Sequence, residues 1–325
     1  MSDRLAQPLD PVQQRRHKLR NLMQSALLLG GMLGLLAISA WSIAGPDGVV
    51  WVVGGAIFAL AFGPRVSPQW VLTMYGARPL PPEAVPEGAR IVAVLARRAG
   101  LSRVPRLYYV PSPILNAFAV GNREQAVIAV TDGLLRTLTL RELAGVLAHE
   151  ISHIRNNDLW IMSLADIISR LTMMMSYAGM MLLMVGLPVL LLGGTGLPWL
   201  LIVLLVFSPS VVNLLQLALS RAREFDADLD AAGLTGDPLG LASALRKLEL
   251  YQGRLWERIL LPGARIPDPS LLRTHPPTEE RIRRLLELRP AAPHPDLDGG
   301  EPVPLPAGLT PVSRRPRLHL TGAWY

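Results

Sequence analysis

Four stretches of this chain lack any charged side chain for long enough to cross a bilayer, and they restrict its fold more than any other feature. They run over residues 22–45, 48–64, 171–193 and 197–219. A membrane-spanning helix needs about 17–25 residues, so the second is near the short limit. Only Pro46-Asp47 separates the first pair, and Gly194-Thr195-Gly196 the second. Each pair therefore reads as a transmembrane helical hairpin. Pro188, Pro198 and Pro209 predict kinks or helix ends in the second pair. The first span does not read as a cleavable signal peptide. It is too long, a second span follows at once, and no small-residue cleavage site precedes it.

Composition agrees with a membrane protein: half of the 325 residues are hydrophobic. The formal charge is +7, carried almost wholly by arginine. No basic stripe interleaved with aromatics is present, so nucleic acid is not the expected partner. The arginines flank the spans instead and read as topology signals and contacts to anionic lipid. Arg15, Arg16, Lys18 and Arg20 precede the first span, Arg65 and Arg78 follow the second, and Arg221 and Arg223 follow the fourth. By the positive-inside rule, both termini and the region between the second and third spans face the cytoplasm. The chain has no cysteine, which excludes disulfides, iron–sulfur clusters and thiolate zinc sites.

Between the hairpins, residues 84–99 predict an amphipathic helix closed by Gly100. Three short β-like runs follow at 106–110, 116–120 and 125–131, and they predict a small sheet. Thr139 reads as an N-cap with Glu142 completing a capping box. The helix that follows carries Arg141, Glu142, Arg155 and Asp158 and is not a membrane span. Asp158 reads as the counter-ion of an arginine, and Asp166 with Arg170 as an i,i+4 pair. After the fourth span, 220–232 continues as helix, 237–253 forms another, and Pro276-Pro277 open a last helix through Leu288. Eight prolines punctuate the chain from Pro290 onward, which predicts an extended or disordered tail. The expected organisation is a basic N-terminus (1–20), a first hairpin (21–64), a soluble region between the hairpins (65–160), a second hairpin (161–219), a soluble region after it (220–289) and the tail (290–325).

The capped helix contains His149-Glu150-Ile151-Ser152-His153. Positions i and i+4 share a helical face, so both imidazoles can bind one zinc ion, with Glu150 beside the open coordination position. That arrangement activates a water to attack a peptide bond. A catalytic zinc needs a third protein ligand. Glu224, Asp226 and Asp228 are candidates on a downstream helix, and spacing alone does not choose among them. Glu224 and Asp228 lie at i and i+4. Glu224 could bind zinc while Asp228 accepts a hydrogen bond from the far nitrogen of a ligand histidine. Either could also pair with Arg221 or Arg223.

Four segments then occur in one order: Asn116 to Gly121 (NAFAVG), Leu147 to Ile154 (LAHEISHI), Ser220 to Asp228 (SRAREFDAD) and Thr274 to Ile282 (THPPTEERI). With the paired spans, they resemble the HtpX family of membrane zinc metallopeptidases, gluzincin-type relatives of the CAAX prenyl endopeptidases. The resemblance covers roughly residues 20–288. It implies a mainly α membrane protein with two transmembrane hairpins and a cytoplasmic α+β metallopeptidase domain built on a small sheet. It implies one zinc per chain held by His149, His153 and Glu224, Glu150 as general base, and Asp228 as the carboxylate supporting a ligand histidine. Asn116 would lie on the edge strand that pairs with substrate backbone. His275 would face the scissile carbonyl. The alternative roles are a strand-end turn for Asn116 and a helix cap for His275. Where the family commonly has Tyr after the ligand Glu, this chain has Phe225.

The resemblance further implies a multi-pass enzyme of the bacterial cytoplasmic membrane, acting on polypeptides in quality control of membrane or misfolded proteins. The alternatives are a processing peptidase with a narrow target and a non-catalytic membrane scaffold that recruits partners through the tail. A scaffold has no need for all four of His149, Glu150, His153 and Glu224.

Overall fold

The computed structural model describes residues 11–62, 68–193, 198–260 and 277–288. The expected tail, the Gly194–Gly196 loop, His275 and Pro276 lie outside the described residues. The elements in chain order are α1 (Pro11–Phe62), α2 (Pro68–Met74), β1 (Arg78–Pro79), α3 (Pro86–Arg98), β2 (Arg106–Val110), β3 (Ala117–Val120), β4 (Val127–Thr131), α4 (Asp132–Thr137), α5 (Leu140–Asn156), α6 (Asp158–Leu191), α7 (Trp199–Thr235), α8 (Pro238–Leu260) and α9 (Thr278–Glu287). They form two compact units. One comprises residues 20–65 and 160–223, the other residues 1–19, 66–159 and 224–325.

The first unit is apolar helix. Among the described residues, three helical runs are long and apolar enough to cross a membrane: Lys18–Phe58, Asp158–Leu191 and Trp199–Thr235. The first is not one straight rod. Ala44 and Gly45 leave helical geometry, and Gly45 takes a φ of 58° that L side chains rarely adopt. The chain reverses there, so closely that a Cβ at Gly48 would meet the Ala40 carbonyl oxygen. The break falls between the first two expected spans, of which the second is described as far as Phe62. α6 and α7 also pack closely, with Gly179 against Leu205 and Val206. Elsewhere along the same pair, Ser169 Oγ donates to Asn213 Oδ1 at 2.7 Å. Met32, Leu36, Ala165, Ile168, Val212 and Leu219 form the shared interior. The outward faces stay apolar: Trp51, Met184, Leu192 and Leu200 are 79–88% exposed. An apolar surface of that extent suits lipid rather than water.

The second unit holds the sheet, in order β1-β2-β4-β3. β2 and β4 are parallel, while β1 and β3 pair antiparallel with their neighbours. β4 (Val-Ile-Ala-Val-Thr) is buried throughout, as an inner strand flanked on both sides should be. β3 is an edge strand. The third β-run starts two residues later than its composition suggests. Asn122 explains this, because its Oδ1 accepts hydrogen bonds from the Glu124 and Gln125 amides and holds them in a turn. α2, β1 and α4 are too short to leave a periodic signal in the sequence.

Helix α5 is placed by its ends and one face. Leu143, Leu147, Ile151 and Ile154 recur at helical spacing and are all buried. Burying an aliphatic side chain of this size stabilises by roughly 1.5–3 kcal/mol. On another face, Gly145 lets the α8 backbone come close, since an added Cβ would sit 2.9 Å from Leu241 Cα. The predicted capping box is present: Thr139 Oγ1 accepts from the Glu142 amide, and Glu142 Oε2 accepts from the Thr139 amide. Glu142 does more than cap. Its carboxylate also accepts from Ser243 Oγ at 2.7 Å and Lys247 Nζ at 2.6 Å, both on α8.

Burial opposes ionisation of Glu142, but the hydrogen bonds from Lys247, Ser243 and Thr139 outweigh it and hold its pKa below the ordinary value. A carboxylate lowered on folding stabilises the fold fully above its unfolded pKa of about 4.3, and that contribution is lost as pH falls through the folded pKa. Glu142→Gln keeps the shape and removes the charge. It is expected to cost about 1–2 kcal/mol near neutral pH. The gap between mutant and wild type should close on acidification, as measured by unfolding of the detergent-solubilised proteins across pH.

Candidate metal centre

His149 and His153 lie one turn apart on α5, and Glu224 approaches from α7. One donor atom from each lies within 4.8 Å of the others. His149 Nε2 is 3.1 Å from His153 Nε2 and 3.5 Å from Glu224 Oε2, and His153 Nε2 is 3.8 Å from Glu224 Oε1. Ligand atoms about 2.0–2.1 Å from a tetrahedral zinc lie roughly 3.3 Å from each other, so this spacing fits the ion.

The opposite ring nitrogens explain why these atoms converge. His149 Nδ1 is 3.0 Å from Asp228 Oδ1, and His153 Nδ1 is 2.7 Å from Asp158 Oδ2. A carboxylate only accepts, so each Nδ1 carries the proton. With Nε2 unprotonated, as a metal ligand must be, both Nε2 atoms would present lone pairs to each other and to a carboxylate oxygen. Such a set repels itself unless a cation sits among it. Two imidazoles and a carboxylate with no thiolate also suit zinc chemically.

Local structure delivers each group. α5 ends where Asn157 takes left-handed geometry at φ 58°, and its amide bonds back to the His153 and Ile154 carbonyls. That turn lets Asp158, the next residue, reach back to His153. Read from the sequence as an arginine's counter-ion, Asp158 holds a candidate metal ligand. Glu224 and Asp228 share a face of α7, which continues past the apolar segment. Arg281 enters from α9. Its Nε and Nη2 each lie 2.7 Å from an Asp228 oxygen, and its Nη1 is 3.2 Å from Glu224 Oε2. Phe225 packs under Arg284, whose guanidinium carbon is 3.6 Å from the ring centroid.

Half-buried Glu150 adjoins the cluster and accepts a hydrogen bond from the Ala119 amide of β3. Burial raises its pKa, partly countered by His149 and His153. Burial would likewise raise Asp228, but Arg281 outweighs it and holds Asp228 at about 2. Burial works to lower His149, yet its hydrogen bonds to Asp228 and Glu224 prevail and raise it to about 10. The donor set attracts positive charge, either as a proton on His149 or as a metal ion.

Asn116, just before β3, has its backbone tied to β4: its amide donates to Thr131 Oγ1 at 3.0 Å, and its carbonyl accepts from the Thr131 amide at 3.1 Å. Its side chain is exposed. Alternation along the strand then turns the amides of Ala117 and Ala119 to the outer edge, where Ala119 meets Glu150. His275 lies outside the described residues. Sequence reasoning missed Arg281, although it stands inside the Thr274–Ile282 segment, because no spacing rule links α9 to α7. The Ala119 contact left no sequence signal either.

A two-histidine, one-glutamate donor set beside a further carboxylate, in a chain with membrane-length helices, defines a membrane metallopeptidase. Residues 84–289 match Peptidase family M48, and the chain belongs to that family, whose members are zinc metallopeptidases. It is 39% identical to the Protease HtpX homolog of Persephonella marina over 290 residues, covering 82% of this chain and 96% of that one. It is 38% identical to the Protease HtpX homolog of Pyrococcus furiosus over 278 residues, covering 82% and 95%. A crystal structure of S. mikatae Ste24p aligns at a TM-score of 0.47 with 18% identity, over 83% of this chain and 66% of that one.

A His149 raised to about 10 holds its proton at neutral pH, so a metal must displace it. Zinc binding is expected to release about one proton from this ring, and apparent affinity should fall about tenfold for each pH unit lowered near neutrality. Titration calorimetry in buffers of different ionisation enthalpy measures the released proton.

Proposed function

We propose that the chain is a zinc-dependent membrane endopeptidase in which His149, His153 and Glu224 bind the metal and Glu150 is the general base. One observation carries this reading: both histidines have Nδ1 tied to a carboxylate, and both Nε2 atoms meet Glu224 with Glu150 adjacent. Bound zinc supplies electrophilic polarisation and lowers the pKa of a water to about 7. Glu150 takes the proton from the attacking water and later delivers it to the leaving amine. Burial assists the first step by making this carboxylate more basic. The Ala119 hydrogen bond holds it in place. Asp228 and Asp158 keep the two rings in the Nδ1–H tautomer and fix their orientation.

A substrate strand is proposed to lie along the outer edge of β3, where no other strand pairs among the described residues. The exposed Asn116 side chain would contact it at one end. His275 is proposed to donate to the oxygen of the scissile carbonyl, a role worth a few kcal/mol in the transition state.

The arginine distribution favours a centre on the cytoplasmic side of the membrane, and the family resemblance favours a bacterial inner membrane. Such a site suits unfolded segments and loops of membrane proteins, hence quality control. A survey of cleavage sites decides the scope: scattered sites support quality control, and a single defined site would replace it with processing.

Purified Glu150→Gln is expected to retain zinc and lose turnover by several orders of magnitude against an unfolded protein. Activity at the wild-type level in the zinc-loaded mutant would refute the general-base role. His149→Ala and Glu224→Ala should lose the metal itself, and full zinc occupancy in either would refute the ligand assignment.

A further inference from the structure

Arg281 is a buried cation with no part in the proposed proton transfers, and it touches Asp228, Glu224 and His149 at once. It is 8% exposed. Nε and Nη2 grip Asp228 Oδ2 and Oδ1 at 2.7 Å each, Nη1 reaches Glu224 Oε2 at 3.2 Å, and Nη2 is 3.4 Å from His149 Nδ1. A parallel pair of N–H···O bonds fixes the plane of a carboxylate as well as its position. Among the described residues, Asp228 makes its polar contacts with Arg281 and His149 alone. Without the guanidinium, its carboxylate would be free to rotate, and the His149 ring it orients would rotate with it. Glu224 is restrained by the same group from a third direction.

We propose that Arg281 is a positioning residue of the metal centre: it sets the carboxylate planes of Asp228 and Glu224, and so ties metal affinity to the docking of α9. This rests on the reading of His149, His153 and Glu224 as metal ligands. The helix is seated independently of the centre by Ile282 and Leu285 in the core and by Arg284 stacked on Phe225. Arg281 is thus delivered by a helix outside the two that bear the ligands. A lysine cannot replace it, because an ammonium has no planar fork to match a carboxylate.

The test is zinc affinity, measured on the full-length detergent-purified protein by competition with a chromophoric chelator. Removing a group that orients metal ligands typically costs about 10- to 100-fold in affinity, and that loss is expected for Arg281→Ala. Arg281→Lys should remain impaired. Added guanidinium ion should restore some of the affinity to Arg281→Ala and none to His149→Ala. Arg283→Ala, an exposed change on α9 that touches neither the carboxylates nor the groups seating the helix, should bind zinc as the wild type does. Wild-type zinc affinity in Arg281→Ala would overturn the proposal, and a raised KM alongside it would make Arg281 a substrate contact. Full function in Arg281→Lys would overturn it too, since charge alone would then suffice. If Arg281→Ala does not fold, Arg281→Lys carries the test. Failure of the underlying reading looks different: His149→Ala would bind zinc like the wild type.

Discussion

Two imidazoles one helical turn apart point their Nε2 nitrogens at each other because each opposite nitrogen donates to a buried carboxylate. Asp158 holds one ring from just beyond the end of α5, and Asp228 holds the other from α7. Rotation of either ring would forfeit a charge-assisted hydrogen bond and leave a buried carboxylate short of a partner, which costs a few kcal/mol. Much of the surrounding unit keeps α5 where that arrangement survives. Glu142 clamps its start to α8, Gly145 lets the two helices approach, and the left-handed Asn157 ends it one residue before Asp158 is needed.

Burial of so many acids is not explained by stability. Glu224, Asp228 and Asp158 are all buried, and Asp230 nearby is buried with Asn156 and Lys18 as partners. Taking charges out of water rarely improves on apolar packing, even when each finds a counter-ion. Groups with perturbed pKa values gathered in one place are instead the mark of a functional site. Here Asp228 is held low by an arginine, His149 high by two carboxylates, and Glu150 high by burial. Those opposed shifts make a centre that attracts a cation and sets a base beside it.

Two of the helices long enough for a membrane, α6 and α7, also carry groups of the centre. Asp158 is the first residue of α6, and Glu224 lies on the same unbroken helix as the apolar residues before it. The apolar segments themselves need lipid, because side chains such as Trp51 and Leu200 find no cover within the chain.

Patterns that repeat over a few residues were legible in the sequence. The lengths of the apolar runs, the capping box at Thr139, the i,i+4 pairs His149/His153 and Glu224/Asp228, and the strand at 106–110 all follow from local periodicity and local hydrogen bonding. Each is a property of one segment, so no distant contact was required to see it. Spacing could not choose between Glu224, Asp226 and Asp228, and only the resemblance to a family did. Tertiary structure decided which acid faces the histidines, that Asp158 turns back on His153, and that Arg281 crosses from α9 to both α7 carboxylates. It also brought the β3 edge to Glu150 through Ala119. Contacts of that kind join residues up to 132 positions apart. They are set by how helices and sheet pack, and packing has no period that a chain can display along its length.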